Sequence, residues 1–64
     1  MKKKILQITK IGNFLKELRL SKHLTQEELA ERFYVSSRSI SRWETGVNLP
    51  DIILLIELAD FDQV

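Results

Sequence analysis

The chain has no cysteine among its 64 residues, which excludes disulfides and thiolate metal sites and leaves packing as the stabilising force. That composition suits a reducing cytoplasm. Histidine is nearly absent too: His23 stands alone, with no second His and no carboxylates clustered at ligand spacing, so no metal site is expected. The serines lack a base and an orienting acid for nucleophilic catalysis. No apolar run is long enough to span a bilayer. MKKKILQITK opens like a secretory n-region, but Gln7, Thr9, Lys10 and Gly12 interrupt the apolar run that should follow. The expectation is a cytoplasmic protein, not an enzyme, with no cofactor and no membrane partner. Internal repeats and low-complexity tracts are also missing.

Sixty-four residues permit one domain with a marginal core, so every apolar helix face must be used. The net charge of +1 conceals an uneven distribution. All ten Lys and Arg lie in residues 1–42, which carry +6 once Glu17, Glu27, Glu28 and Glu31 are subtracted. Residues 43–64 carry −5 from Glu44, Asp51, Glu57, Asp60 and Asp62. Such an asymmetry either turns one face toward a polyanion and the other away, or is ordinary solvated charge.

Residues 25–46, TQEELAERFYVSSRSISRWETG, read as two short amphipathic helices joined by a tight turn. Thr25 and Glu28 make the S/T-x-x-E pattern that satisfies two free amides at a helix start, and Leu29, Ala30 and Phe33 follow at helical spacing. A helix over 26–33 is predicted. Val35 enters the core as the turn ends. Ser36 offers an oxygen to cap a further helix over 37–45, Ile40 and Trp43 recur three apart on its inner side, and Gly46 stops it. Left outward are Ser37, Arg38, Ser41, Arg42 and Thr45, one polar face with two guanidinium forks. Arg pairs bidentately with guanine in the major groove, and short hydroxyls let a helix approach closely.

Before this pair, a helix over 11–22 is expected with Ile11, Phe14, Leu15 and Leu18 inward, and residues 1–10 form a basic arm. Its Lys2-Lys3-Lys4 run is either a solvated tail or a contact to flanking phosphates. After it, Pro50 and Asp51 start a helix running to about residue 60, with a fixed φ and an acid at the positive end of the dipole. The fold expected is all-α, a small bundle of about four helices, with the helix-turn-helix domain over 11–64.

The runs Ile11-Gly12-Asn13-Phe14-Leu15-Lys16-Glu17-Leu18-Arg19, Leu24 to Ala30, Val35 to Gly46 and Leu49-Pro50-Asp51 resemble the phage-repressor-like, Cro-type helix-turn-helix family, also called the xenobiotic-response-element type. The resemblance covers about three quarters of the chain, with four motifs in the family's order. It implies a transcriptional regulator, a repressor by expectation, that binds a near-palindromic double-stranded DNA operator as a homodimer. Base contacts then fall to Ser37, Arg38, Ser41 and Arg42, and backbone contacts to Gln26, Ser36 and Asn48. The resemblance also pairs Arg19 with Glu44 in a largely buried ion pair. The alternative is a protein-interaction module on the same fold, such as an antitoxin-like partner.

Two departures from the pattern stand out. Tyr34 occupies a position where the family often has Gly or Asn in a left-handed conformation, so either Tyr34 accepts that strain with its ring half exposed or the turn is shaped differently. The family also continues past L-A-D into a fifth helix, for which Phe61-Asp62-Gln63-Val64 leaves no room. The preceding run over 52–59 is apolar almost all round, more than one small core can bury. Its excess face is either a self-association surface, the favoured reading, with Ile53, Ile56 and Phe61 at a dimer interface, or the surface that a lost fifth helix would cover.

Overall fold

The structure, a computed structural model, describes the backbone of residues 2–61 and the side chains from Ile8 to Phe61. It contains four helices, α1 (Lys2–Ser21), α2 (Gln26–Phe33), α3 (Ser37–Glu44) and α4 (Ile52–Phe61), and no strand among the described residues. The all-α, four-helix expectation holds. The phosphate contact considered for Lys2, Lys3 and Lys4, and any interface role of residues 62–64, lie outside the described side chains.

α2 spans the predicted residues, and the reason is visible at its start. Thr25 Oγ1 accepts from the Glu28 amide at 3.1 Å while Glu28 Oε1 accepts from the Thr25 amide at 2.8 Å, a reciprocal capping box. α3 begins where Ser36 Oγ accepts the Ser39 amide at 3.1 Å. α4 begins where Asp51 Oδ1 accepts the Leu54 amide at 2.9 Å, just after a buried Pro50.

α1, α2 and α3 all end the same way. In each, the residue after the last turn takes a left-handed conformation, His23 at φ 58°, Tyr34 at φ 57° and Gly46 at φ 79°. The next amide reaches back to a carbonyl five residues earlier: Leu24 to Arg19 at 3.1 Å, Val35 to Ala30 at 3.0 Å, Val47 to Arg42 at 2.8 Å. These are Schellman closures, which satisfy the last carbonyls of each helix. Tyr34 therefore accepts the strain. Its ring is 95% exposed, not half exposed, so no packing offsets the backbone cost.

The first helix starts at Lys2 rather than at residue 11, so the segment expected as an arm forms its first half. It runs alongside the end of α3: Gly46 has the Thr9 side chain and the Ile8 methyl within van der Waals distance of where a Cβ would stand. α1 and α2 both pack on α3.

Leu15, Leu29, Ala30, Ile40, Trp43 and Leu58 form the core, flanked by Ile11, Leu24, Phe33, Val35, Leu54 and Phe61. Trp43 is inside, as its spacing from Ile40 requires. Phe14 is not: it is 44% exposed, because the buried stripe of α1 follows Ile11, Leu15 and Leu18 and leaves Phe14 at its margin beside Glu17 and Ser21.

α4 contributes one stripe to the core. Leu58 is fully buried, while Ile52, Ile53 and Ile56 are exposed, Ile53 at 70%. Phe61 turns inward instead, its ring edge-on to Phe33 with centroids 5.5 Å apart. Lys22 Nζ and the Arg32 guanidinium carbon lie 5.1 and 5.7 Å from its centre, so α2, α4 and the residue following α1 meet on this one ring. As an interface residue, Phe61 is thus largely committed to its own chain.

Candidate nucleic-acid interface

α3 is eight residues long and divides into two sides. Ile40, Trp43 and Glu44 are buried; Arg38 and Arg42 are exposed, one helical turn apart, and Ser37 and Ser41 lie half exposed beside them. Neither the Arg38 nor the Arg42 guanidinium forms an ion pair or hydrogen bond with any described residue. Two unengaged guanidiniums on one side of a helix offer five N–H groups each, in a planar fork. Thr45, read from sequence as part of this face, spends its hydroxyl on the helix end, donating to the Ser41 carbonyl at 2.9 Å.

The angle of α3 is held by a buried electrostatic clasp. Arg19 Nε donates to Glu44 Oε2 at 2.7 Å and Arg19 Nη2 to Glu44 Oε1 at 3.0 Å, a bidentate pair from α1 to the end of α3. A third guanidinium nitrogen, Nη1, donates to the Leu24 carbonyl at 3.0 Å. The hydrogen bond to Glu44 raises the Arg19 pKa above its ordinary value, against the opposite pull of burial. The pair fills its lone pairs and protons well enough to leave no buried side-chain polar atom unpartnered among the described residues.

The remaining candidates lie at the ends of α3 and at the start of α2. Ser36 is exposed at the N-terminus of α3, its oxygen engaged by the Ser39 amide and 3.0 Å from the Ser39 hydroxyl. When Ser39 donates in that pair, the Ser36 proton is free for an outside acceptor. Asn48 is exposed in the loop between α3 and α4. Gln26 opens α2, where the capping box uses the Thr25 and Glu28 amides and leaves those of Gln26 and Glu27 outside it.

Sequence reasoning missed one contact here. Gln26 Nε2 donates to Glu44 Oε1 at 3.1 Å, joining the start of α2 to the end of α3. No periodicity or motif signals a bond between residues 18 apart. No group of three His, Cys, Asp or Glu among the described residues is arranged to hold a metal ion. No described helix is long and apolar enough to cross a membrane.

The profile of the helix-turn-helix family matches residues 15–64. Over 50 residues the chain is 46% identical to the HTH-type transcriptional activator BcrR of Enterococcus faecalis, an alignment that takes in 78% of this chain and 24% of that protein. The chain thus spans about a quarter of the length of the curated relative it matches. With the cap, turn and clasp as described and the family profile covering most of its length, the chain belongs to the Cro-type helix-turn-helix family of DNA-binding domains.

Proposed function

We propose that this domain binds double-stranded DNA sequence-specifically in the cytoplasm, places α3 in the major groove and regulates transcription. One observation carries the reading: Arg38 and Arg42 stand exposed and unengaged on the outer side of a helix whose inner side is locked by Ile40, Trp43 and the Arg19–Glu44 pair. Arg38, Arg42, Ser37 and Ser41 read base edges, while Gln26, Ser36 and Asn48 hold the phosphate backbone. Residues 1–10 supply a basic flank. The exposed Ile52, Ile53 and Ile56 of α4 support a two-fold homodimer, which would set two copies of α3 about 34 to 36 Å apart on a near-palindromic operator.

Repression is the expected sign. The relative that this chain resembles is named a transcriptional activator, so the sign is the part of this reading to test, and a reporter carrying the selected operator reads it directly. A second reading, a protein-interaction module of the antitoxin type, is favoured by the same apolar face of α4.

Selection from random duplex DNA followed by a salt titration of the best site tests the proposal. An enriched sequence is expected, with log affinity falling by about 0.9 per neutralised phosphate for each log unit of salt. A pool without enrichment, or a flat titration, rejects DNA recognition and leaves the interaction module.

A further inference from the structure

We infer that Glu44 is a positioning residue for DNA contact, acting through Gln26; the inference rests on the DNA-binding reading above. Glu44 is buried, its side chain 3% exposed, and cannot reach a ligand itself. Its Oε1 nevertheless accepts a hydrogen bond from Gln26 Nε2, whose residue is half exposed at the start of α2. The carboxylate is fixed by two bonds from Arg19, and Arg19 is fixed in turn by the Leu24 carbonyl. A flexible surface amide is therefore tied to an immobile buried acceptor.

The tie has three physical effects. It settles the amide orientation, because a carboxylate accepts only from the nitrogen and would repel the amide oxygen. Gln26 keeps a second N–H, directed away from Glu44, available to a phosphate oxygen. Fixing the side chain before binding removes an ordering cost that a free glutamine would meet on the DNA. Arg19 completes the arrangement: its charge neutralises Glu44, so the acid can hold Gln26 without repelling the phosphate.

The test is a double-mutant cycle on the selected duplex, with a second duplex carrying a neutral methylphosphonate at the phosphate whose neutralisation weakens wild-type binding most. Gln26→Ala and Glu44→Gln should each lose about three- to tenfold in affinity, the cost of freezing one rotamer-rich side chain. The double variant should lose no more than the worse single one, and the differences should shrink below twofold on the methylphosphonate duplex. A Glu44 that merely supported the fold would lose affinity equally on both duplexes and multiply with Gln26→Ala, which overturns the inference. So does a Glu44→Gln protein that binds as wild type. If Glu44→Gln does not fold, NMR of the wild-type Gln26 side-chain amide decides. The two amide protons are resolved in any glutamine because C–N rotation is slow; one shifted downfield of its free-glutamine position, with only the other moved by duplex, is expected, and a pair at free-glutamine positions overturns the inference. A wild-type chain that binds no selected duplex overturns the DNA reading and the inference together, whereas wild-type binding with multiplying losses overturns the inference alone.

Discussion

Gly12 of α1 abuts the Trp43 carbonyl of α3: a Cβ on it would overlap that oxygen and stand 3.0 Å from the Glu44 carbonyl oxygen. Helix propensity alone makes Gly12→Ala stabilising by about 1 kcal/mol. The overlap reverses the sign, since backbone atoms cannot swing aside, and a net loss of about 1–3 kcal/mol is expected. Urea denaturation of the variant measures it; an unchanged or raised midpoint would show that the two helices do not approach this closely.

Tyr34 offers the opposite test. It holds a left-handed backbone at φ 57° with an almost fully exposed ring, so replacement by glycine removes strain without opening a cavity. Tyr34→Gly should stabilise by about 1 kcal/mol, the left-handed penalty less the backbone entropy that glycine forfeits. A lower melting temperature for this variant would place the phenol in a contact that matters to the fold.

Arg38→Ala and Arg42→Ala separate recognition from attraction. Each should weaken the selected site by about 1–3 kcal/mol and random duplex by much less, because a bidentate contact to a base is lost. Thermal stability should stay near that of the parent, as neither guanidinium is engaged within the protein. Equal losses on both duplexes would reassign these side chains to the phosphates.

Ile53 is the most exposed large apolar side chain of α4. Ile53→Lys should leave the fold intact, shift the chain toward monomer and weaken binding to a near-palindromic site. Sedimentation decides the matter. A parent chain that stays monomeric at high micromolar concentration, free and on DNA, rules out the homodimer.

The parts of this molecule written in local chemistry were legible before the structure. Thr25 with Glu28, Ser36, Gly46 and Asp51 are each satisfied within a few residues, and the Ile40–Trp43 spacing marks the inner side of α3 unaided. The start of α1 was not legible: residues 1–10 have no clear apolar period, and Ile8 and Thr9 find their place only against Gly46, far along the chain. Phe14 was misread for a related reason, since an apolar residue at the edge of a stripe is turned in or out by what packs above it. The Gln26–Glu44 bond belongs to the same class. It exists because Arg19 fixes the acid from a third helix, and no single segment encodes that.

The eight residues of α3 keep their two duties on separate letters. Ile40, Trp43 and Glu44 anchor the helix, while Ser37, Arg38, Ser41 and Arg42 bear little of the fold's stability. On the proposed reading, a library randomised at those four outward positions would keep the scaffold intact and vary only the DNA text it prefers. New operators are then reachable by single substitutions, and relatives sharing this core are free to diverge in the genes they govern.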